Sequence, residues 1–160
     1  MSQLVAYVEG ADEVRARLLI APDRVRRAVR QAVDRSAANV LRGAKAKVSD
    51  DVLHVKTGRL RRSLSMRTAG GVDTPSAEVG TNVVYAAIHE FGGQTKAHII
   101  EAVNGKALAF MGKDGAMVFR QVVHHPGSRM PERSFLRSTL TAQAGEIQER
   151  IVAAVKGELP

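Results

Sequence analysis

The chain has no cysteine and no tryptophan, and aromatic residues make up only 4% of it. Without cysteine there can be no disulfide and no thiolate metal site, which fits a reducing compartment. With so few aromatics, much of the apolar content falls to alanine and valine. The resulting core is thin per residue, and neighbouring surfaces are expected to complete it. No run approaches the ~18 apolar residues of a membrane span. The opening "MSQLVAYVEG" is too short and too polar for a secretion signal, so the expectation is a soluble chain made inside the cell, with no membrane partner. What is present is ordinary globular composition, 44% hydrophobic and 25% charged over 160 residues, the size of one domain (1–160).

Charge is distributed unevenly. The formal net charge is +8, and residues 10–62 alone carry 14 basic against 6 acidic side chains. Residues 63–160 are nearly balanced, with 10 against 9. The surplus therefore sits in the first third. A localised basic surface suits a polyanion, either nucleic acid or an acidic partner, while a solvated helix face is the plain alternative.

"QLVAYVE" (3–9) reads as a short strand ended by Gly10, and "ADEVRARLLIA" as a short helix with acids in its first turn. Pro22 suits the first turn of a second helix. From Asp23 to about Val48, the positions Val25, Val29, Ala32, Val33, Ser36, Val40 and Gly43/Ala44 recur at helical spacing. They form one apolar arc about 100° wide on a helix about 39 Å long. Arg24, Arg27, Arg35, Arg42 and Lys45 lie on the far side, and Gly43 on the buried arc either permits close packing or is a weak point in the helix.

Beyond this helix, Thr57 is placed to cap one turn containing Leu60, after which Leu64 and Met66 alternate inward. Arg59, Arg61 and Arg62 form a second basic cluster there. "AGGVDTPS" is turn material, and "AEVGTNV" reads as an antiparallel partner strand. In "VYAAIHEFGG", Tyr85, Ile88 and Phe91 stand at helical spacing before Gly92 and Gly93, so one or two helical turns with those three packed inward are expected. A ribbon over about 94–133 follows. Strands "AHIIEAV" and "KALAFM" are expected to join at Asn104-Gly105, a strong hairpin signal, with a third strand after "GKDG". Part of this ribbon is expected to project and to shift or order on contact with a neighbour. A last amphipathic helix, Phe135 to about Lys156, carries Leu136, Leu140, Ala144, Ile147, Ile151, Ala154 and Val155 on one face, with Ser134 as its cap.

Catalytic readings fail one by one. His89-Glu90 opens like a zinc-peptidase helix, but the second histidine such a helix needs four residues on is replaced by Gly93. His89, His98, His124 and His125 lie on different elements, and the adjacent pair on a strand faces opposite ways, so no metal site is expected. There is no G-x-S-x-G elbow, and "GKDG" lacks phosphate-loop spacing. Neither an enzyme nor a cofactor is expected.

In order and spacing, "KTGRLRRSLSMR", "AEVGTNVVYAAIHEFGG", "HIIEAVNGKALAF" and "VVHHPGSRMPERSFLRSTL" resemble the phage neck and tail-completion proteins. That group is also called the HK97 gp10-like family, or virion morphogenesis proteins. Thr57, Gly58, Leu60 and Ser63 match its first block, and Tyr85, Ala86, Glu90, Phe91 and Gly92 its second. His124, Pro126 and Gly127 match the histidine-proline-glycine of members with an inserted hairpin. Phe135 and Leu136 match the step into the last helix, with Ser134 where proline is common.

The resemblance implies an α+β fold, with two long helices on a twisted antiparallel sheet and a projecting hairpin. It implies a structural virion protein of a tailed phage or phage-like particle, made in the host bacterial cytoplasm. Such a protein would form a ring at the head–tail junction or upper tail, of about six copies or, less readily, about twelve. Its partners would be its own copies, adjacent neck or tail-tube rings, and double-stranded DNA in the channel. The basic side chains named above would then face DNA or the next ring. Glu90 has the most room for a functional role in the second block, as the partner of an arginine across a subunit boundary or, in the plain alternative, as a solvated helix charge. The rival reading is a free-standing, sequence-independent nucleic-acid-binding module with steep salt dependence.

Overall fold

The computed structural model describes residues 23–51, 53, 57–103 and 105–158. The strand expected over 3–9, the helix over 11–21, Pro22 and Asn104 lie outside the described residues.

Helix α1, Asp23–Ala46, has an acid in its first turn and Lys45 in its last, both favourable to the helix dipole. Val25, Val29, Ala32, Ser36, Val40 and Ala44 are buried along it, the arc the periodicity predicts. Its C-terminal end widens into a single π-type turn, Lys47–Asp51, where the Ser49 hydroxyl donates to the Lys45 carbonyl at 2.7 Å.

The short helix α2, Arg59–Ser63, starts differently from the expectation. Gly58, not Thr57, occupies its N-cap position, with φ of 68°. That left-handed conformation suits glycine, and the Thr57 hydroxyl sits one residue earlier, accepting only the Arg59 N–H at 3.4 Å. Ser63 Oγ donates to the Leu60 carbonyl and meets Thr81 Oγ1 at 2.7 Å, tying α2 to the loop after the next hairpin.

That hairpin pairs β1 (Ser65–Ala69) with β2 (Ser76–Gly80), in register from Ser65↔Gly80 to Ala69↔Ser76. It lies along α1. Arg30 donates to the carbonyls of Gly70 and Gly71, Arg26 pairs with Asp73, and the Thr68 hydroxyl donates to Asp34.

Helix α3 is Ala86–Phe91, and the last helix, α4, is Arg137–Lys156. α4 runs antiparallel to α1: Arg150 donates to Ser36 Oγ at 3.1 Å, Gln143 reaches the Asn39 carbonyl, and Gly43 faces Thr139. A Cβ on Gly43 would come within 2.7 Å of Thr139 Cγ2, so the missing side chain sets how closely the helices meet.

The main core gathers Val40, Ala44 and Val48 of the α1 arm, Leu64 and Val79 of the hairpin region, Ala86, and Phe135, Leu136 and Ile147. Phe135 is its one aromatic among the described residues. The fold is α+β with the two long helices where the sequence puts them. Leu136 at the N-cap of α4 and Ile147 within it are buried as expected, but Ala144 is exposed.

The sheet differs from the expectation. Four separate two-stranded ladders replace one twisted sheet. The ribbon is one long hairpin rather than a three-strand meander. β3 (Gly93–Gln94) pairs with β8 (Arg129–Met130), β4 (His98–Glu101) with β7 (Val122–His125), and β5 (Leu108–Met111) with β6 (Met117–Arg120). The reversal is therefore at "GKDG", where Gly112 N–H donates to the Ala116 carbonyl at 2.8 Å and Asp114 accepts the Ala116 N–H. The strands on either side of residues 102–107 pair with the returning arm instead of each other, and the Ala102 N–H donates to the Gln121 carbonyl at 3.2 Å between the two ladders. All of His98–Glu101 is exposed on both faces, so the ribbon stands out from the body.

Candidate functional site

Glu90 lies on the inner face of α3 with only 1% of its surface exposed. One carboxylate oxygen accepts the N–H of Phe135 at 2.9 Å and of Leu136 at 3.0 Å. The other accepts the N–H of Arg137 and the hydroxyl of Ser134, each at 2.7 Å. Ser134 Oγ in turn accepts the Ser138 N–H at 3.1 Å. The first four N–H groups of a helix have no partner within it, and an anion is favoured there. Here Glu90 and Ser134 between them satisfy residues 135–138. The N-cap position is Leu136, two residues after the Ser134 expected there, and it makes no side-chain cap bond, so a carboxylate from another helix does most of the capping.

This arrangement corrects two expectations. The Glu90 carboxylate is saturated within its own chain, so it is not free for an arginine of another subunit. It also fixes which face of α3 points inward: Ala86 and Glu90 are buried, while Tyr85 and Phe91 are exposed. Burial pushes the Glu90 pKa up, but the hydrogen bonds from Leu136, Ser134, Arg137 and Phe135 together outweigh it, and the group is held below the usual carboxylate range. Gly92, with φ of 68°, ends the helix, and a Cβ there would lie 2.9 Å from Glu132 N. The His89 carbonyl accepts the Arg133 N–H at 2.8 Å, a second tie between α3 and the segment entering α4. Phe91 is covered on one side by the Arg137 guanidinium, 5.5 Å from its ring centre, and Arg137 is itself paired with Glu132.

The outward face of α3 carries apolar side chains that the sequence pattern alone does not mark as a surface. Val84, Ala87, Ile88 and Phe91 fall at the i, i+3, i+4, i+7 spacing of a helix stripe. That spacing was visible, but its direction was not, because only the partners of Glu90 decide it.

The basic residues take up two positions. Arg24, Arg27, Arg35 and Arg42 are exposed along α1, opposite the buried arc, with Lys45 half-buried at the end of the row. Arg61 joins them: with Arg42 and Lys45 it rims a groove of about 390 Å³ floored by Ala38, Leu41 and Ala46. Arg59 turns elsewhere, lining a separate recess of about 490 Å³ with Asn82, Val84 and Tyr85, and Arg62 is exposed. Among the described residues, none of these eight cations makes an ion pair, whereas Arg26, Arg30, Arg67, Arg137 and Arg150 do.

The histidines do not converge. His98 and His125 stack across the ribbon with ring centres 4.9 Å apart, while His124 faces the opposite side. His89 packs edge-on to Tyr85, and burial, helped by the charge of Arg133, lowers its pKa. Among the described residues no group of three or more His, Asp or Glu side chains could hold a metal ion. No helix of the described residues is long and apolar enough to cross a membrane. Pro126 and Gly127 sit where the ribbon returns to its base, the Gly127 N–H donating to His125 Nδ1 at 3.0 Å.

The model of a family described as the phage virion morphogenesis family matches residues 28–156, from α1 to the end of α4. No curated protein and no solved structure matches the chain.

Proposed function

The chain belongs to the phage virion morphogenesis family, and from that premise we propose that it is a tail-completion or neck protein of the HK97 gp10-like kind. In this reading it forms a closed ring of about six copies at the head–tail junction or upper tail, around the channel that DNA traverses. It works by position rather than by catalysis. Its neighbours are its own copies and the adjoining neck or tail-tube rings, and it ends up in the virion after synthesis in the bacterial cytoplasm.

The observation that carries the reading is the unpaired basic row on α1. Arg24, Arg27, Arg35 and Arg42 have no acidic partner among the described residues and lie on the face turned away from the core. Exposed arginines repeated around a ring give a weak, sequence-independent attraction for phosphate. That suits a passage through which DNA of any sequence must slide.

The test is a particle made without this chain. Filled heads and tails that fail to join are expected by electron microscopy, and joined, DNA-delivering particles would refute the proposal.

A further inference from the structure

Val84, in the turn leading into α3, is 93% exposed and Phe91 53%, with exposed Ala87 and half-buried Ile88 between them in sequence on the helix. A helix of this length has almost no stability of its own. It is held by Glu90 from behind, so this apolar face is displayed on a fixed mount. Ile88 also borders the ribbon's start: a Cβ on Gly93 would lie 3.6 Å from its Cγ1.

A second apolar surface lies at the ribbon's other end. The register pairs Ala109 with Phe119 and Met111 with Met117, so these four share one face of the tip. All four are exposed, Met111 to 70% and Phe119 to 61%. From Met130 at the base to Met117 at the tip the returning arm spans roughly 40 Å at the usual strand rise. Neither surface covers the other within the chain.

We propose that the occupant of the α3 face is a second copy of this chain, whose ribbon tip docks on it in head-to-tail fashion. A two-fold pairing of like surfaces, tip on tip or α3 on α3, leaves the other apolar surface open. Head-to-tail contact covers both with one repeated interface, and such an interface closes into a ring when its rotation allows. Size supports the same geometry. Phe91 and Phe119, each a little over half exposed, offer about 250 Å² between them, and Val84, the two methionines and the smaller side chains bring the two surfaces together to the order of 800 Å². That is below the ~1,200 Å² typical of a stable pair, so two copies alone associate weakly. In a closed ring each copy makes the contact twice. This inference rests on the ring reading and adds to it the surfaces that join the copies.

The cysteine-free chain makes the test direct. Full-length protein carrying Val84→Cys and Phe119→Cys together is assembled, imaged by negative stain, and mildly oxidised. A ladder of covalent multimers is expected, at least about tenfold above either single variant. Rings without a ladder, or single variants that cross-link as strongly, overturn the docking while leaving the ring intact. Absence of rings overturns both. As a second readout, Val84→Asp at this 93% exposed site is expected to keep the wild-type thermal midpoint and lose assembly; unchanged assembly contradicts the proposal.

Discussion

The carboxylate of Glu90 and the backbone N–H of Phe135 meet at 2.9 Å inside the core, 45 residues apart in the chain. Phe135 is the fully buried aromatic around which both long arms pack, and Glu90 holds it, with Leu136 and Arg137, at the entrance of the last helix. One side chain thus couples the docking of α4 to the orientation of α3.

Replacing Glu90 with Gln keeps the size but removes the anion and presents an amide N–H₂ to donors that need an acceptor. Hydrogen bonds to a charged group contribute about 1.5–3 kcal/mol each, and lost partners are not additive. A net loss of about 3 kcal/mol is expected, lowering the thermal midpoint by roughly 10 °C for a chain of this size. The exposed Glu149→Gln change, by contrast, should stay within about 0.5 kcal/mol. Thermal unfolding followed by circular dichroism measures both.

The same group sets an acid limit. Its folded pKa lies below the usual 4.5, so its stabilisation is complete above that pH. As pH falls, the unfolded chain takes up the proton first, and the contribution disappears as pH passes down through the folded value. His89, lowered from 6.5, acts in the same direction but begins earlier, between that value and its folded pKa. Urea midpoints should therefore decline below about pH 6.5 and more steeply below about pH 4.5. Glu90→Gln should remove the second fall, and His89→Gln the first.

Gly43 tests the seam between α1 and α4. Any added side chain meets Thr139, whose hydroxyl is committed to the Phe135 carbonyl at 2.6 Å and cannot swing freely. Gly43→Val is expected to cost about 2 kcal/mol through overpacking, despite valine's better helix propensity. A shift of the urea midpoint at unchanged slope would show it.

How much of this was legible varies with the kind of signal. The buried arc of α1 and the length of α4 follow from periodicity, because an amphipathic helix writes its inward face directly into residue spacing. The ribbon's pairing did not follow from Asn104-Gly105, since a local turn preference loses to the register that β3, β4 and β5 share with the returning arm. For α3, two apolar sets were available, and apolar residues ordinarily turn inward. The inward face was instead chosen by a charged residue, Glu90, whose burial is repaid by four donors lying 44 to 47 positions later. No local pattern encodes a contact at that distance. The Glu90 and Ser134 pair could be suspected only from a serine before a helix that lacks its usual acid three residues on, at Arg137.

Charge reversal of Arg24, Arg35 and Arg42 separates two fates of the basic row. If the row lines the channel, as proposed, particles assemble but retain or release DNA abnormally, with the defect lessened at high salt. Failure of assembly itself would place these arginines against acidic residues of an adjacent subunit or ring. Normal assembly with normal delivery would make the row a solvated face.

An electron cryo-microscopy reconstruction of the assembled particle would show whether the chain is a ring component at the junction of head and tail. A closed ring of about six copies is expected there, each α1 turned with its arginines toward the channel and each ribbon tip seated on the next copy's α3. Density showing the chain as an isolated monomer, as a two-fold dimer, or away from the head–tail axis would contradict it.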